Sequence, residues 1–429
     1  MFMKKIGIGI IGLGNIGSRF YKEIISNKRE IGLKTGTNIN IVGVSAKNIN
    51  KKRNFKVRKN IFFKNPLDIT KNPKVNIVIE LIGLSDGISK KIVENALKNK
   101  KHVITANKAL ISKHGDYLSL LAEKNKVNLE FEASVCGGIP ILRTLKDGLA
   151  TNKINKVVGI LNGTSNYILS EMEKSKNSFK KVLNKAQILG FAETNPQFDL
   201  DGNDVLAKIR ILSALSFNNK ISKNKCLMSG IENIELKDID MANKLDLRIK
   251  LLGITEIINN KLFERVHPCL IKKDTYISNI DGVMNAVILE GIPIGQSVLQ
   301  GEGAGSGPTS SALLSDLLSI LRGNIKYPFG ISSNKRKNIK SYDKNLYSNS
   351  LYLRFEVKDK PGVLSEITKK LANFKISIER LIQIPDRKNK KASIVIITHK
   401  TNERNTTKCL QAFKKNKNII KNPTLIRLF

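Results

Sequence analysis

The chain has 429 residues, too many for one hydrophobic core, so its length predicts two or three domains. A hydrophobic fraction of 41% fits a globular protein, and no apolar stretch reaches the length of a membrane span, so we expect no membrane partner. The net charge of +38 suggests nucleic-acid binding, but the lysines are spread along the chain without interleaved aromatic residues, so we expect no specific nucleic-acid partner.

The first third of the chain alternates strand-like and helical segments. Helical patterns follow the first glycine loop up to residue 25 and recur at 88–100 and 116–124, and apolar runs predict strands at 6–11, 39–45, 75–81, 102–105 and 127–133. Such alternation favours βαβ units and a doubly wound parallel sheet of the Rossmann-like α/β class. We expect a nucleotide-binding domain over residues 1–133, completed by a helix near 309–325.

A GxGxxG loop lies between the first predicted strand and the first predicted helix. Gly12 permits a tight turn, Gly14 lets a pyrophosphate approach the backbone, and Gly17 lets helix and strand pack closely. Asn15 and Ile16 open the helix, whose amides face the phosphates. The loop therefore predicts a dinucleotide cofactor.

The end of the second predicted strand indicates which dinucleotide is preferred. An acidic residue is usual there in NAD-preferring sites, whereas this chain has Lys47, followed by Lys51, Lys52 and Arg53. Cations attract the 2′-phosphate of NADP, which a carboxylate would repel. We expect NADP to be preferred, with NAD possible if these cations are ordinary surface residues.

Residues 134–308 show a mixed pattern. Helical segments at 167–189 and 203–217 are joined by strand-like runs at 156–161, 249–258, 262–266 and 283–289, and a glycine-rich loop at 301–307 precedes a helix at 309–322. This pattern predicts an α+β domain with a mixed sheet and helices on one face.

Two charged residues interrupt the apolar side of the helix predicted at 203–217. Asp204 and Lys208, four residues apart, project on the same side as the large apolar residues, whereas Arg210 and Ser213 point away. A solvent-exposed ion pair is the alternative, but two charges within an apolar stripe are costly unless a cleft or ligand uses them. The pair therefore predicts a functional site.

Other charged residues fit the same site. Glu193 and Asp199 lie just upstream, and Lys108 follows the strand at 102–105, at the carboxyl edge of the sheet where open α/β folds bind ligands. An oxidoreductase for an amino-acid alcohol needs a carboxylate for the substrate ammonium and a lysine of lowered pKa that accepts the hydroxyl proton. These residues supply both.

Several segments resemble motifs of the homoserine dehydrogenase family, in the family's order over residues 5–325. They lie at 105–108, 131–135, 137–140, 162–167, 190–208, 265–268 and 301–309. The resemblance implies NAD(P)-dependent interconversion of L-homoserine and L-aspartate 4-semialdehyde in threonine, methionine and isoleucine biosynthesis. It also implies that residues 134–308 form the catalytic and dimerisation domain of a homodimer or homotetramer.

The resemblance also implies roles for individual residues. Lys208 is the implied proton donor and acceptor, Lys108 assists at the cofactor and the substrate hydroxyl, and Glu193 binds substrate with support from Asp199 and Asp204. The further implied cofactor contacts are Thr105 and Gly303. A monovalent cation, usually sodium, is implied at Glu132, Val135, Gly137 and Ile139, largely through main-chain carbonyls.

Cys136 departs from the family pattern, in which a small residue such as Ala or Gly is usual at its position. A thiol there keeps open an acylating semialdehyde dehydrogenase, which needs a thiolate nucleophile. A non-catalytic amino-acid sensor is another alternative, disfavoured because the charged site residues are intact. The four cysteines are far apart without CxxC spacing, so we expect no zinc site or disulfide and a cytoplasmic location.

The C-terminal part follows a polar segment at 331–350, whose composition predicts a linker. Strands predicted at 351–358, 377–384, 393–399 and 424–428, with two helices between them, give a ferredoxin-like βαββαβ order over residues 351–429. The segment at 353–383 resembles an ACT domain, which implies amino-acid binding, with Asp359, Pro361 and Gly362 as regulatory residues and L-threonine as effector. The alternative is a dimerisation module without a ligand.

Overall fold

The computed structural model describes residues 4–48, 53, 55, 57–414 and 416–429, with Arg387 described by its backbone alone. The N-terminal strands are all parallel and form a sheet in the order β2-β1-β3-β4-β5. They are β1 (Lys4–Ile11), β2 (Thr37–Ser45), β3 (Ile77–Glu80), β4 (His102–Thr105) and β5 (Leu129–Glu130). The accompanying helices are α1 (Asn15–Ser26), α2 (Lys28–Thr35), α3 (Pro66–Lys71), α4 (Ile88–Lys98) and α5 (Lys108–Lys124).

Both faces of this sheet are buried. Ile8 and Ile10 of β1 point into a core shared with α1, while Ile11 and Val78 point into a second core with α3, α4 and α5. Apolar residues on both sides of a strand need helices on both faces, so the predicted doubly wound parallel sheet is confirmed.

Two N-terminal predictions differ from the structure. The helix predicted from residue 116 begins at Lys108, because the side chain of Asn107 accepts a hydrogen bond from the Leu110 amide and caps it. The strand predicted at 127–133 is only β5, because a 3₁₀ turn starts at Glu132. Lys108 therefore stands at a helix N-terminus directly after β4.

The middle part forms a mixed sheet in the order β11-β10-β6-β8-β9, with β7 beside β9. Its strands are β6 (Lys153–Ile160), β7 (Leu227–Met228), β8 (Leu247–Ile258), β9 (Lys261–Lys272), β10 (Met284–Ile292) and β11 (Gly295–Glu302). Its helices are α6 (Ile141–Arg143), α7 (Gly163–Ser175), α8 (Phe179–Ile188), α9 (Gln197–Leu200), α10 (Asn203–Ser216), α11 (Leu236–Lys244) and α12 (Ser306–Leu321).

Three predictions for this part were incomplete. The helix predicted at 167–189 is two helices, because Lys176 adopts a left-handed conformation and ends α7. The strand predicted at 262–266 extends to Lys272, and β11 was missed because its glycines and polar residues hide the strand pattern. Helix α12 packs on α1 of the N-terminal part.

The C-terminal part has the predicted βαββαβ order, with a small extra strand pair. Its elements are β12 (Ser348–Asn349), β13 (Leu351–Lys358), α13 (Val363–Asn373), β14 (Ile378–Asp386), β15 (Lys391–Thr398), β16 (Thr401–Asn402), α14 (Glu403–Phe413) and β17 (Thr424–Leu428). Its antiparallel sheet has the order β17-β13-β15-β14, and β17 also pairs in parallel with β9. The middle and C-terminal sheets are therefore continuous.

The polar segment at 331–350 differs from the solvated linker that its composition predicts. Arg336 is buried, its guanidinium lies 3.9 Å from the centre of the Phe329 ring, and its Nη1 lies 2.7 Å from an Asp116 carboxylate oxygen. Ser333 hydrogen-bonds to Glu123. The segment is thus a strap packed across the N-terminal and middle parts. None of the helices that the structure describes is long and apolar enough to span a membrane.

Candidate active site

Four of the five predicted charged residues converge at the carboxyl edge of the parallel sheet, where it faces the mixed sheet. Lys108 opens α5, and Asp204 and Lys208 lie in the first two turns of α10. The Nζ of Lys208 lies 2.7 Å from Oδ2 of Asp204, and the Nζ of Lys108 lies 2.6 Å from Oδ1 of the same residue. A single carboxylate therefore holds both lysines.

Helix α10 is buried on more sides than its periodicity predicts. It packs against α5 and against β6, β8 and β9, so Ser213, which was expected to point outward, is also buried. Asp204 and Lys208 are 1% and 7% exposed, whereas 36% of the Lys108 side chain is exposed. Ligands can thus reach the cluster from the Lys108 side.

The two lysines keep Asp204 ionised. Burial alone would raise the pKa of Asp204, but Lys208 and Lys108 outweigh it and hold this pKa well below its usual range. Burial likewise opposes the charge of Lys208, yet Asp204 raises the pKa of this lysine above its usual value. The expectation of a lowered lysine pKa is therefore wrong for the ligand-free protein, in which Lys208 is an ammonium.

Asn162, which the sequence predictions did not single out as a site residue, joins the carboxylates of the site. Its side-chain nitrogen donates to Asp199 Oδ1 at 2.8 Å and to Asp204 Oδ2 at 2.9 Å, while its oxygen accepts from the Ser165 amide and caps α7. An Asn between a strand and the Gly that opens a helix is a capping signal that could have indicated it.

Asp199 differs from Asp204 in its titration. Burial and the neighbouring Asp204 raise the pKa of Asp199.

Glu193 does not join this cluster. Glu193 is exposed and lies in the loop between α8 and α9. Its main-chain oxygen accepts a hydrogen bond from the Gln187 side chain. Its carboxylate makes no ion pair with the residues that the structure describes. The structure therefore brings together Lys108, Lys208, Asp199 and Asp204 of the predicted set, and leaves Glu193 outside.

Cys136 lies beside the lysine cluster but is a poor nucleophile. It is 1% exposed, and its sulfur accepts a hydrogen bond from Asn285 at 3.4 Å. Burial raises the pKa of the thiol, although Lys208 acts in the opposite direction. A buried thiol that stays protonated disfavours the acylating thiol enzyme as an alternative.

The glycine loop has the shape that a dinucleotide requires. Gly12 has φ +102°, and a Cβ on Gly17 would lie 1.9 Å from the Gly12 oxygen. A Cβ on Gly14 would meet no atom within 4 Å, so its backbone is open to a ligand. A cavity of about 550 Å³ adjoins the loop, and Asn15 and Arg53 help to line it. These residues fit a pyrophosphate at the N-terminus of α1.

The other predicted cofactor contacts, Lys47, Thr105 and Gly303, have different surroundings. Lys47 is exposed just after β2, whereas Lys51 and Lys52 lie outside the described residues. The Thr105 hydroxyl is already engaged, because it donates to Glu80 and accepts from the Asn107 amide. At Gly303, a Cβ would lie 2.1 Å from the Asn285 side chain.

At the predicted cation site, the oxygens available to an ion belong to the main chain and not to the Glu132 carboxylate. Both carboxylate oxygens of Glu132 accept main-chain amides of α6, from Leu142 and Arg143. The carbonyl oxygens of Val135 and Gly137, two buried residues, accept no hydrogen bond from any residue that the structure describes. Buried oxygens without a donor suit a hard cation, so this loop fits the ion.

The predicted regulatory turn is open to solvent. Asp359, Pro361 and Gly362 are exposed, and Gly362, with φ +89°, precedes α13. The positive φ explains the glycine, because other residues rarely adopt it.

Family models cover most of the chain. The model described as Homoserine dehydrogenase matches residues 140–318, and that described as Homoserine dehydrogenase, NAD binding domain matches residues 12–132. A model described as ACT domain matches residues 351–418.

Individual relatives match over almost their whole length. The homoserine dehydrogenase of Neisseria gonorrhoeae is 38% identical with 99% of each chain covered, and that of Bacillus subtilis is 36% identical with 95% of each covered. The crystal structure of a homoserine dehydrogenase from Thiobacillus denitrificans has a TM-score of 0.90 at 34% identity, covering 100% of this chain and 99% of that one. A structure of the S. aureus enzyme at pH 6.5 has a TM-score of 0.76 at 31% identity, with the same coverage.

Proposed function

The chain belongs to the homoserine dehydrogenase family, and on that basis we propose how its buried lysine–carboxylate cluster carries out the reaction. It is an NAD(P)-dependent oxidoreductase that interconverts L-homoserine and L-aspartate 4-semialdehyde. The observation that supports the proposal most strongly is the single buried carboxylate of Asp204, which is bonded to both Lys208 and Lys108.

Lys208 is the proton carrier in this proposal. In homoserine oxidation, the hydroxyl proton passes to its Nζ while the carbonyl forms, and the reverse direction returns the proton to the alkoxide oxygen. A bound nicotinamide dinucleotide accepts or supplies the hydride. Because Asp204 keeps Lys208 as an ammonium, the free enzyme is protonated for reduction, and oxidation requires prior loss of this proton.

The neighbouring residues bind and orient the substrate. Lys108, the more exposed lysine, lies near enough to Asp204 to direct a substrate oxygen toward Lys208. Asp199 receives the substrate ammonium, which would relieve its repulsion with Asp204. Glu193, from the exposed loop, completes the ammonium site when substrate binds.

The test of this assignment is Lys208→Ala, assayed by homoserine-dependent NADP reduction. Loss of a general acid–base should lower kcat by roughly 10²–10⁴-fold. Lys113→Ala is the matched control, because Lys113 is also a lysine paired with an aspartate, Asp86, but on the exposed side of α5. Retained activity in Lys208→Ala would refute the assignment, and equal loss in both variants would indicate general damage.

We propose that NADP is the preferred cofactor, held by Gly12, Gly14, Gly17 and the first amides of α1. The exposed Lys47 after β2 and Arg53 beside the glycine loop support this preference. Lys47→Glu should lower kcat/KM for NADP by roughly 10–100-fold, since a charge-assisted hydrogen bond contributes roughly 1.5–3 kcal/mol, and should leave NAD turnover nearly unchanged. Equal turnover with both cofactors in the unaltered enzyme would refute the preference.

A monovalent cation, sodium in the family, would be held by main-chain oxygens at Glu132, Val135, Gly137 and Ile139. The two carbonyls without donors support this proposal. The ion would brace the loop that carries Cys136 next to the active site. Sodium should raise the Tm of the enzyme above that in a chloride salt of a large organic cation at equal ionic strength, and identical Tm values would argue against the site.

Three further proposals concern the whole protein. We propose the domain division at residues 133, 308 and 350, with the middle domain joining copies into a homodimer or homotetramer. We propose that the enzyme works in the cytoplasm, which suits its free thiols. We also propose that it serves threonine, methionine and isoleucine synthesis and that its ACT domain mediates inhibition by L-threonine.

A further inference from the structure

Asn285 is a buried polar residue that the proposed mechanism does not use. It is 1% exposed and lies near the start of β10, where it pairs with Gly301 of β11. Its side-chain nitrogen donates to the sulfur of Cys136 at 3.4 Å, whereas its side-chain oxygen is buried and has no hydrogen-bond partner among the described residues. Because an unpartnered buried polar atom destabilises a fold, stability alone does not account for an amide at this position.

On one side, the Asn285 amide packs against the loop that is predicted to contact the cofactor. A Cβ on Gly303 would lie 2.1 Å from Cγ and 2.5 Å from Oδ1 of Asn285. The φ of Gly303 is not positive, so the amide and not the main-chain conformation requires a glycine there. The loop continues into α12, whose first residue, Ser306, lines the same cavity as Gly14. Asn285 therefore supports the loop that leads to the dinucleotide site.

On its other side, Asn285 contacts the surroundings of the proposed proton carrier. Cys136, which accepts its hydrogen bond, is close enough to Lys208 for the ammonium to oppose the rise that burial causes in the pKa of the thiol. Gly138, in the same loop as Cys136, donates its main-chain amide to the Glu302 oxygen at 2.9 Å, at the end of β11. The loop beside Lys208 and the cofactor loop therefore meet at Asn285.

Hydride transfer makes the relative position of these two loops important. The carbon that loses or gains the hydride carries the oxygen that exchanges its proton with Lys208, and this carbon must lie about 3–3.5 Å from the nicotinamide. A misplacement of about 1 Å can slow such a reaction by about 100-fold. A residue that touches both loops can thus set the rate of the hydride step without touching the reacting atoms.

We propose that Asn285 is a positioning residue for hydride transfer, which fixes the distance between the cofactor loop at Gly303 and the loop of Cys136 beside Lys208. The inference rests on the proposed places of the cofactor and of the proton carrier. The contact with Gly303 limits how far the cofactor loop can move inward, and the hydrogen bond to Cys136 holds the amide in its orientation. Its Oδ1 can accept a main-chain amide of the cofactor loop when a dinucleotide is bound.

Asn285→Ala removes both contacts and tests this role in the full-length enzyme. Single-turnover formation of NADPH, with homoserine deuterated at the hydroxyl-bearing carbon as a second substrate, isolates the hydride step. We expect this step to slow by about 10–100-fold with its isotope effect retained, as a displacement of about 1 Å would cause. NADPH affinity should change little, because the glycine loop at Gly12–Gly17 is unaltered. The alkaline pKa of the pH profile should persist, because Lys208 remains.

Asn128→Ala is the matched control for the loss of a buried amide. Asn128 is also 1% exposed, but it lies at the opposite edge of the parallel sheet, where its amide bonds to the main chain of Asn324 and Lys326. Its removal should lower the Tm at least as much as Asn285→Ala does, because two hydrogen bonds are lost, and should leave the hydride step unchanged.

The outcomes separate positioning from general damage. An unchanged hydride step in folded Asn285→Ala would overturn the inference and keep the assignment of Lys208, and equal slowing in Asn128→Ala would overturn it as well. If Asn285→Ala does not fold, Asn285→Leu keeps the bulk against Gly303 and removes the unpartnered oxygen and the bond to Cys136. A slower hydride step in that variant supports the inference, and an unchanged step overturns it. Absence of homoserine-dependent NADP reduction in the unaltered enzyme would overturn the proposed function together with this inference.

Discussion

At the scale of residues, two side chains of the site each bind several partners at once. Asp204 serves two lysines, and Asn162 serves two carboxylates while capping α7. A shared partner fixes several side chains at once, because moving one of them costs the hydrogen bonds of the others. We therefore expect the reaction to depend on residues that need not touch the substrate.

Asn162→Asp tests this dependence without removing the helix cap, since Asp caps a helix as well as Asn does. The new carboxylate would lie about as close to Asp199 and Asp204 as the amide it replaces, at 2.8 and 2.9 Å. Repulsion would raise the pKa of these carboxyls and disturb Lys208. We expect kcat/KM for homoserine at neutral pH to fall about 10–100-fold, since each pKa unit corresponds to roughly 1.4 kcal/mol.

The pH profile of this variant distinguishes charge from shape. Its activity relative to the unaltered enzyme should recover as the pH falls and one carboxyl of the three is protonated. Asn162→Ala, which introduces no charge, should show a loss that does not depend on pH in this way. An unchanged kcat/KM in Asn162→Asp would contradict a role for this residue.

Part of the site could be predicted from the sequence. Helical periodicity places Asp204 and Lys208 together, and strand–helix alternation places Lys108 at the carboxyl edge of the sheet. The pKa of Lys208 could not be predicted, because its direction depends on which of two opposing effects is larger, burial or Asp204. Asn162 was missed because its partners are 37 and 42 residues away in sequence.

At the scale of elements, two glycines of the glycine loop have different roles, one in ligand binding and the other in folding. Gly14 faces open space, while Gly17 touches the backbone of Gly12. Gly14→Ala should therefore keep the Tm of the cofactor-free enzyme within a few degrees and weaken NADP binding, because the methyl group would occupy the place of the pyrophosphate. Gly17→Ala should lower the Tm itself, because its Cβ forces α1 away from β1.

Thermal unfolding without cofactor and fluorescence titration with NADPH provide the comparison. Equal Tm losses in the two variants would show that Gly14 is needed for folding as much as Gly17 is. Unchanged NADPH affinity in a folded Gly14→Ala enzyme would show that the pyrophosphate does not approach the loop at Gly14.

Elements with a strong apolar period were predicted best. The strand at 102–105 and those at 351–358 and 424–428 match β4, β13 and β17 in their bounds, because apolar residues recur along each of them and turn residues or polar segments flank them. Strand β11 was missed because five of its eight positions are exposed and it contains two glycines. The local sequence pattern does not reveal such a strand, because its pairing with β10 holds it in place and not its own apolar residues.

At the scale of the whole molecule, the C-terminal domain is attached to the rest through buried polar contacts as well as the sheet. Arg354 is 1% exposed and pairs with Asp238, which is fully buried on α11. The parallel pairing of β17 with β9 adds main-chain bonds. This attachment opposes independent movement of the domain.

Arg354→Met should test the strength of this attachment. Removing Arg354 leaves the buried carboxylate of Asp238 without its cation, although the Tyr352 hydroxyl and the Glu235 amide still donate to it. We expect the free energy of unfolding to fall by about 3–5 kcal/mol in urea denaturation. Adding Asp238→Asn to this variant should restore part of the loss, since the unpaired charge is then removed. A loss below about 1 kcal/mol in the single variant would show that the pair is not an anchor.

The strap at 331–350 shows what amino-acid composition cannot predict about the whole molecule. Polar residues predict solvent exposure, but Arg336 and Ser333 are buried because they bond to Asp116 and Glu123 of the N-terminal part. Such partners are more than 200 residues away in sequence, and composition contains no information about them.

The pH dependence of both reaction directions tests the central claim most directly, that the buried Lys208 carries the proton. Its pKa is raised in the free enzyme, so oxidation, which needs the neutral amine, should speed up as pH rises toward that pKa. Reduction, which needs the ammonium, should lose kcat/KM over the same interval. Mirror-image profiles governed by one alkaline pKa, absent from the residual activity of Lys208→Ala, are the predicted result. Profiles that change in the same direction, or that persist in Lys208→Ala, would contradict the account.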